Sequence, residues 1–396
     1  MARGPDARGT GEHRPVSVIL PGATIGILGG GQLGRMTAMA ARSLGYHLAV
    51  LDPDPSCAAR FLVETCVTAA FDDVQAAKEL AARCNVATVE IEKISIEVMR
   101  AVQELIPMRP GPDVLQVIQD RARQKDWLSE RGFPVGPYGK ASTEDQLRQV
   151  AQSVGGRCYV KATRGGYDGR GQDILTGPDD APRVWKELGG APVVVEKGLE
   201  LESELSVLVA RRPSGEARTY APALNHHVKG ILEWSVLPGP LPHAVANQAE
   251  SIARDIAAAL GVEGLLVAEF FLTRAGELFV NELAPRPHNT FHSTEVACAT
   301  SQFEQHTRSV CDLPLGSTEI LRPAAIINLL GDLWTGDTAP PFDKALEIAG
   351  VQVHLYGKRV ARPGRKMGHL LSIGATPEEA LQKVQEARTR LSRPPG

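Results

Sequence analysis

Residues 264–292 of this 396-residue chain read GLLVAEFFLTRAGELFVNELAPRPHNTFH, and this stretch decides the fold. Apolar, β-prone runs lie on both sides of Gly276, which predicts two antiparallel strands joined by a tight turn at residues 274–276. Each predicted strand carries one carboxylate among apolar neighbours, Glu269 on the first and Glu282 on the second. The stretch therefore predicts two acidic side chains on neighbouring strands of a sheet.

Two strand registers are compatible with this turn. A two-residue loop at residues 275–276 pairs Glu269 directly with Glu282. A three-residue loop with a bulge at Gly276 would instead place Glu269 opposite Asn281. Either register keeps the two carboxylates on adjacent strands, where opposed Cβ atoms lie about 5 Å apart.

Two carboxylates this close repel each other. A buried pair is stable if one carboxyl is protonated or if a hard cation lies between them, and Mg²⁺ is typically held by one or two carboxylates plus substrate phosphates. The alternative is a pair of exposed glutamates on a solvated sheet face. Polar, cationic and imidazole side chains follow the second strand, namely Arg286, His288, Asn289 and His292. They favour the metal site, because such groups beside Mg²⁺ and phosphate suit an anionic reaction partner.

Composition limits the class of protein. The length suggests two or three domains, and the hydrophobic fraction of 43% with a charged fraction of 22% is that of an ordinary soluble protein. A net charge of -3 argues against a dedicated nucleic-acid or membrane-surface binder, and no apolar run approaches the roughly 18 residues of a membrane span. The six cysteines form no C-x-x-C pair, so we expect them to be reduced and buried, as in a cytoplasmic enzyme.

A glycine-rich turn opens the folded part of the chain at residues 26–36, GILGGGQLGRM. Gly29, Gly31 and Gly34 match G-x-G-x-x-G, and Asp52 follows about twenty residues later at the end of the next predicted strand. This spacing is the dinucleotide fingerprint, so an NAD-dependent dehydrogenase is one alternative. The glycines themselves only let backbone N–H groups approach a phosphate, and a ribonucleotide substrate could supply that phosphate equally well.

Alternating strands and helices continue to about residue 105 and predict a small doubly wound domain. Glu90 and Glu92 stand at the carboxyl end of the strand at 86–90, where open parallel sheets place their ligands. Glu90 either contacts substrate or serves as a partner for a helix dipole, and both alternatives stay open.

A second glycine-rich segment follows the predicted strand that presents Lys161. It reads RGGYDGRGQ, residues 164–172, and its four glycines and two arginines suit a mobile loop whose backbone closes over phosphates. The alternative is an ordinary surface turn. In the next strand, Glu196 could accept an amine while the backbone at Lys197 and Leu199 faces an adenine, and Glu204 could reach a ribose hydroxyl.

Basic residues gather near the C-terminus among turn residues, at Lys358, Arg359, Arg362, Arg365 and Lys366. A solvated charge run is the ordinary interpretation. Because the chain is acidic overall, a basic hairpin could instead clamp a substrate phosphate.

Five motifs occur in a fixed order between about residues 24 and 375: GILGGGQLGRM, YDGRGQ, NELAPRPHN, SQFEQHTRS, and YGK with RPGRKMGH. In this order they resemble the 5-(carboxyamino)imidazole ribonucleotide synthases of the ATP-grasp superfamily. The resemblance implies a cytoplasmic purine-biosynthesis ligase, commonly a homodimer, with small-molecule substrates and neither nucleic acid nor membrane as a partner. Such enzymes phosphorylate bicarbonate with ATP and transfer the resulting CO₂ equivalent to the exocyclic amine of 5-aminoimidazole ribonucleotide.

The fold implied by the resemblance is α/β with three domains. After a disordered tail at 1–23, we expect an N-terminal doubly wound parallel-sheet domain at 24–120, a central ATP-grasp domain at 121–315 and a small β-rich C-terminal domain at 316–396.

The resemblance also implies residue roles. The implied ATP contacts are Arg121, Lys161, the flap residues Gly166, Tyr167, Asp168, Gly169, Arg170, Gly171 and Gln172, then Glu196, Lys197, Gly198, Leu199, Glu204, His227, Asn281 and Glu282. The implied Mg²⁺ ligands are Glu269 and Glu282. The implied catalytic residues are Arg286 and His288 toward bicarbonate and carboxyphosphate, Asp168 with Tyr167 toward the imidazole amine, and Lys358. The rest of the ribonucleotide would contact Gln32, Leu33, Glu90, Lys358 and Arg365.

Three positions depart from the family pattern. Phe291 stands where the family usually has a glycine beside the anion site, which we expect to shift the backbone and lower activity. The segment 222–227 is one residue short before His227, and Lys93 stands where the family often has His or Asn. The nearest alternative is another ATP-grasp ligase, such as a formate-using or biotin-carboxylating enzyme, and RPGRKMGH argues against both. A dehydrogenase would need the nicotinamide half of its site, which nothing beyond the first fifty residues supplies. Phe291 leaves a third alternative open, a catalytically inactive nucleotide-binding protein.

Overall fold

The computed structural model describes residues 18–166, 171–336 and 338–392. Within these ranges no helix has the length and apolar character needed to cross a membrane. The mixed α/β architecture confirms the predicted fold class.

The N-terminal part is a parallel four-stranded sheet, as the alternating pattern predicts, with strand order β3-β2-β1-β4. Its elements are β1 (Thr24–Leu28), α1 (Gln32–Ser43), β2 (His47–Asp52), β3 (Thr65–Thr68), α2 (Val74–Ala81), β4 (Val86–Val89), α3 (Ile96–Gln103) and α4 (Pro112–Ile118). The carboxyl ends of β1 and β4 meet at one edge, which brings Glu90 next to the glycine turn.

A second unit is an antiparallel four-stranded sheet that carries the glycine-rich flap segment. It follows α5 (Arg121–Glu130) and consists of β5 (Tyr138–Ala141), α6 (Glu144–Val154), β6 (Cys158–Ala162), β7 (Gln172–Leu175), α7 (Ala181–Glu187) and β8 (Val193–Lys197), in the strand order β5-β8-β6-β7. The flap segment joins β6 to β7, which are neighbours in the sheet.

The largest sheet has nine antiparallel strands in the described residues, in the order β14-β13-β9-β11-β12-β15-β17-β16, with β10 beside β9. Its elements are β9 (Leu201–Arg211), β10 (Ala217–Thr219), β11 (Ala223–Val228), β12 (Ile231–Leu237), α8 (His243–Ala259), β13 (Gly264–Thr273), β14 (Leu278–Ala284), α9 (Thr294–Ala297), α10 (Gln302–Val310), β15 (Ala324–Leu330), α11 (Phe342–Leu346), β16 (Val351–Leu355), β17 (Lys366–Ile373) and α12 (Pro377–Arg390). Because β15 pairs with β12, the C-terminal strands continue the central sheet.

Helices α5 and α8 pack on one face of the central sheet over β9, β13 and β14, and this contact buries Leu128, Ile256, Leu266, Phe270 and Val280. Burial of such side chains stabilises the fold by about 1.5–3 kcal/mol each. The opposite face of these strands carries the polar residues of the candidate site. All six cysteines are free, and five of them are buried, as the composition predicts.

Candidate active site

The two carboxylates of the β13–β14 hairpin lie directly opposite each other, since Glu269 pairs with Glu282. The observed hairpin combines one feature of each predicted register, namely the three-residue loop of the second and the direct pairing of the two acids of the first. The loop has three residues, because the Thr273 amide donates to the Glu277 carbonyl, and Gly276 has φ +82°. A further bulge, between Glu269 and Phe270 in the register, then leaves Asn281 unpaired and restores the direct pairing of the acids.

The same face of the sheet continues the polar row across neighbouring strands. Glu269 on β13 pairs with Ser206 on β9, and Glu204 of the same strand pairs with Asn225 on β11. His227 lies 2.7 Å from Glu204 through its Nδ1 and the carboxylate Oε2. Side chains two residues apart share a sheet face, so these groups line one continuous polar surface.

The surroundings of Glu269 on this surface disfavour the charged form of its carboxyl. The pKa of its carboxyl is raised to about 7, mainly by burial and in part by the carboxylates of Glu282 and Glu204, while His227 and Lys366 oppose the shift. Negative charge is thus concentrated where the hairpin and β9 meet. The buried Asn281 Oδ1 has no hydrogen-bond partner in the described part of the chain, so an uncommitted oxygen donor lies next to Glu282 in the sequence.

Shortening of the segment before His227 does not remove this histidine from the site. A bulge between His226 and His227 in the pairing of β11 with β12 realigns the strand, and His226 stacks on Trp234 instead, with ring centroids 5.1 Å apart. The bulge therefore places His227 beside Glu204, and its implied contact with ATP stays a prediction.

Arg286 extends from the segment after β14 toward the N-terminal domain. Its Nε lies 2.7 Å from the Glu92 Oε1, and the guanidinium is largely buried. Burial alone would lower the pKa of Arg286, but the carboxylates of Glu92, Glu90 and Glu282 raise it. The Arg286 guanidinium, which stays charged, is therefore held in place between the segment after β14 and the N-terminal domain.

His288 is buried and neutral. Burial and the nearby Arg286 charge hold its pKa well below the usual value of 6.5. Its Nε2 lies 3.6 Å from Glu269 Oε1, and its Nδ1 lies 2.9 Å from Thr290 Oγ1. A buried hydrogen-bond chain fixes the direction of this second contact, because Asn225 donates to Ser206 and Ser206 donates to Thr290. The Thr290 hydroxyl is left to donate to Nδ1, so the ring proton belongs on Nε2, which faces Glu269.

Gln302 holds the backbone of His288. Its side-chain oxygen accepts from the His288 amide and its nitrogen donates to the His288 carbonyl, both at 2.9 Å. Gln302 lies in the quoted motif SQFEQHTRS, and its residue type alone gave no signal of this contact.

Lys161 on β6 and Glu196 on the neighbouring strand β8 contact each other, with 3.1 Å between Nζ and Oε2. The same carboxylate oxygen lies 3.6 Å from Nζ of Lys125, a lysine that is only 4% exposed. Two lysines therefore already contact this oxygen, and the interpretation of Glu196 as an acceptor for an adenine amine stays a prediction. The sequence analysis did not single out Lys125, because one lysine on a polar helix such as α5 resembles an ordinary exposed side chain.

Backbone amides at the end of β8 also donate hydrogen bonds within the protein. The amides of Lys197 and Gly198 donate to the carbonyls of Pro137 and Arg157, so neither N–H is directed at an adenine. Leu199 follows them at the turn into β9, with a half-buried side chain.

Arg121 connects the flap segment with the acidic hairpin. Its guanidinium donates to the carbonyls of Ala162 and Gly166, and it lies 3.8 Å from Glu282. The flap residues Tyr167, Asp168, Gly169 and Arg170 lie outside the described residues. Gly171 and Gln172 return the chain into β7, beside Lys161 in the register.

The glycine turn of the N-terminal domain does not form a phosphate cradle of the expected kind. The amides of Gly31 and Gly34 donate to the two oxygens of Glu90, at 2.7 and 2.9 Å, and the Gly30 amide donates to Asp52. A Cβ at Gly29 would lie 2.4 Å from the Glu90 Cγ, so glycine is needed there because the glutamate packs against the turn. Glu90 is therefore positioned as the helix partner, and burial raises its pKa to about 7.

The basic C-terminal hairpin meets this turn. Lys358 Nζ donates to the Gln32 side chain at 2.9 Å and to the Lys366 carbonyl. Gln32 begins α1 and Leu33 follows it, and the guanidinium of Arg365 donates to the Val360 carbonyl. Lys358 and Gln32 are thus in contact although they lie 326 positions apart in the sequence, and composition could not reveal this contact. The C-terminal hairpin is not merely a solvated charge run.

The Phe291 side chain lies in the core. It is fully buried in a cluster with Leu208 and Ala297, and it packs against Tyr220 with ring centroids 6.3 Å apart. The expected effect of this residue on the nearby backbone and on activity stays a prediction.

Two sheets that enclose a lysine, a glycine-rich connection and a paired acidic hairpin define an ATP-grasp enzyme. Family comparison agrees: residues 126–303 match the ATP-grasp domain, 22–119 the ribonucleotide synthetase preATP-grasp domain and 324–383 the phosphoribosylaminoimidazole carboxylase C-terminal domain. The chain belongs to the N5-carboxyaminoimidazole ribonucleotide synthase family, which confirms the resemblance found in the motifs. It is accordingly an ATP-binding ligase of purine biosynthesis.

Individual relatives cover nearly the whole chain. The synthase of Brucella melitensis is 40% identical over 89% of this chain and 97% of its own length, and that of Bacillus subtilis is 36% identical over 93% and 96%. A crystal structure of the Aspergillus clavatus synthase in complex with ADP and 5-aminoimidazole ribonucleotide superposes with a TM-score of 0.84 at 29% identity, covering 93% of this chain and 98% of that one. These similarities leave no role for the dehydrogenase alternative.

Proposed function

We propose that this enzyme uses ATP and bicarbonate to carboxylate the exocyclic amine of 5-aminoimidazole ribonucleotide, releasing ADP and phosphate. The observation that carries the proposal is the paired hairpin Glu269–Glu282 beside the Arg286–His288 segment, at the junction of all three parts of the chain. The reaction must bring two anions together, and cationic and metal groups reduce their repulsion and position the attack.

The residues present fit a magnesium ion. Glu269 and Glu282 would hold it, and the unpartnered Asn281 oxygen lies next to this pair in the sequence. Hard oxygen donors are what Mg²⁺ prefers, and burial together with the neighbouring carboxylates of Glu282 and Glu204 raises the pKa of the Glu269 carboxyl, so a bound cation would stabilise its charged form. When bound, the ion would neutralise the charge of the ATP phosphates.

Lys161 and Arg121 would contact ATP phosphates from the opposite sheet, and Glu204 with His227 would contact the nucleotide from β9 and β11. The lysine is already oriented by Glu196, and Arg121 by the carbonyls before the flap. We expect the flap, including Asp168 and Tyr167, to close before carboxyphosphate forms, because this intermediate is short-lived in water.

Arg286 and His288 would bind bicarbonate. The guanidinium offers fixed donors to an anion, while the neutral imidazole presents its Nε2 proton on the same side as Glu269. Neutrality matters because His288 can then donate a hydrogen bond without adding a charge that would compete with the metal for the same anion.

The ribonucleotide would bind between the N-terminal turn and the C-terminal hairpin. Gln32, Leu33, Lys358 and Arg365 lie in this region, and the lysine contact with Gln32 joins the two sides. Glu90 would act here mainly by fixing the turn, since its oxygens are bound to glycine amides. We further propose a cytoplasmic homodimer.

A coupled assay tests this function. ADP release should require Mg²⁺, bicarbonate and 5-aminoimidazole ribonucleotide together, and the carboxylated product should appear at one equivalent per ADP. ADP release that is equally fast without the ribonucleotide would indicate a different ATP-grasp ligase, and NADH oxidation without ADP release would refute the proposal.

The hydroxyl chain behind His288 gives a first mutational prediction. Thr290→Val removes the donor to Nδ1 at nearly constant shape, so we expect kcat to fall about tenfold, the equivalent of roughly one hydrogen bond of 1.4 kcal/mol. Steady-state kinetics with saturating substrates measure this change.

Thr290→Ser is the matched control, because it keeps the hydroxyl and loses only the methyl group. It should retain kcat within about threefold although the buried methyl loss costs about 1 kcal/mol of stability. Equal losses of kcat in the two variants would show that Thr290 acts through packing alone.

A further inference from the structure

A column of three stacked imidazole rings lies outside the residues used above. The His369 ring lies between those of His354 and His292, with centroid distances of 4.7 and 4.5 Å. His354 and His369 belong to β16 and β17, while His292 follows the His288 segment. The column therefore connects the C-terminal strands with the loop that follows the acidic hairpin.

His369 has one engaged nitrogen and one free nitrogen. Its Nδ1 lies 2.8 Å from the Tyr356 hydroxyl, whereas Nε2 has no hydrogen-bond partner in the part of the chain that the structure describes, and the side chain is 0% exposed. An unpartnered buried nitrogen is unfavourable, and a ligand bound to it would remove that cost. A histidine with one nitrogen held by a protein hydrogen bond is the usual state of a metal ligand, because that bond fixes the ring and its tautomer.

We propose that Glu295, His354 and His369 form a binding site for a divalent transition-metal ion of the Zn²⁺ class. One donor atom from each lies within 4.8 Å of the others. Two imidazoles and a carboxylate are a known zinc ligand set that leaves a fourth position for water, and imidazole nitrogens favour Zn²⁺, Co²⁺ or Ni²⁺ over Mg²⁺.

Capture of an ion requires a small rearrangement that the surroundings allow. Donors about 2.0–2.1 Å from a tetrahedral ion lie roughly 3.4 Å apart, so the three atoms, now within 4.8 Å of one another, must close by up to about 1.4 Å. The His354 and His369 rings are within 8° of parallel, so one ring must also turn to aim its lone pair at the ion. His354 can do this because it is only partly buried on the edge strand β16, and Glu295 is exposed.

Protonation competes with the ion at the carboxylate and not at the imidazoles. Burial lowers the pKa of both His354 and His369, so both imidazoles keep a lone pair at neutral pH. Burial raises the pKa of Glu295 to about 7, so at neutral pH the ion displaces a proton from part of the Glu295 carboxyls. The bound ion would tie β16 and β17 to α9, which carries Glu295 three residues after His292. Through the contact of Gln302 with His292, at 3.2 Å, it would also stiffen the support of His288.

Zinc binding to the full chain, without an affinity tag and after treatment with a chelator, tests the site. Isothermal titration with Zn²⁺ alone should give one equivalent with a Kd in the micromolar range or tighter. Co²⁺ should give visible absorption bands of a four-coordinate site. The ion should raise the melting temperature, because it binds only the folded state.

Variants separate this site from other metal-binding groups. His354→Ala and Glu295→Gln should weaken binding at least tenfold and abolish the thermal shift, whereas His243→Ala, an exposed histidine at the start of α8, should leave both unchanged. Binding should also persist in Glu282→Ala, which removes an acid of the hairpin. Absence of binding below about 100 µM, or identical binding by wild type and His354→Ala, would overturn the proposal.

Discussion

Glu282→Gln is expected to lower kcat/KM for ATP by about 10²- to 10³-fold, the effect of removing one preorganised electrostatic contact from an active site. The substitution keeps the shape of the side chain and removes one negative charge of the pair. Glu282 is half exposed, with 48% of its side chain accessible, so the fold should not depend on it. Loss of activity would then reflect weakened cation binding, and the Mg²⁺ concentration for half-maximal rate should rise.

The repulsion between the Glu269 and Glu282 carboxylates provides a second test of this variant. The Glu282 carboxylate raises the pKa of Glu269, so its removal should lower that pKa and leave the melting temperature unchanged or slightly higher. Glu277→Gln, on the same hairpin but exposed at the turn, is the control and should keep full activity. An activity loss under tenfold, or one that follows a lower melting temperature, would contradict the assigned role.

Sequence periodicity predicted the hairpin because the information is local. Apolar runs on both sides of Gly276 suffice for two strands and a turn, and the three-residue loop with glycine at positive φ is one of the two loops considered. The bulge at Asn281 was not predictable, since nothing in the residue pattern distinguishes it from a regular strand. It nevertheless decides that the two acids face each other.

For the glycine turn, the local pattern correctly predicted backbone donors at the start of a helix but did not predict which groups accept from them. The motif predicts donors at a helix start, and these donors exist, but they bind Glu90 and Asp52 of the same domain. A one-dimensional pattern specifies exposed N–H groups without specifying which acceptor reaches them. Long-range contacts, such as Lys358 with Gln32 and Arg286 with Glu92, likewise depend on how the domains pack. Their roles came from the order of the family motifs.

Arg286→Lys is expected to lower kcat by about 100-fold while the KM for ATP changes little. Arg286 is the fixed cation beside His288, with its Nε 2.7 Å from Glu92, and only a guanidinium can keep that contact while offering further donors to bicarbonate. A lysine would keep the charge but would either stay with Glu92 or turn to the anion. Kinetics with varied bicarbonate should therefore show a raised KM for bicarbonate and ADP release that no longer matches product formation.

The appropriate control for Arg286→Lys is another buried guanidinium that is paired with a carboxylate away from the acidic hairpin. Arg109 is 5% exposed, lies 3.1 Å from Glu263 and donates to the Val310 carbonyl. Arg109→Lys should lower the melting temperature, since it disturbs a buried ion pair, but should keep kcat within about threefold. If both variants lose activity in proportion to stability, Arg286 is only a structural link between the domains. If Arg286→Lys loses activity at an unchanged melting temperature, its guanidinium acts on the reacting anions.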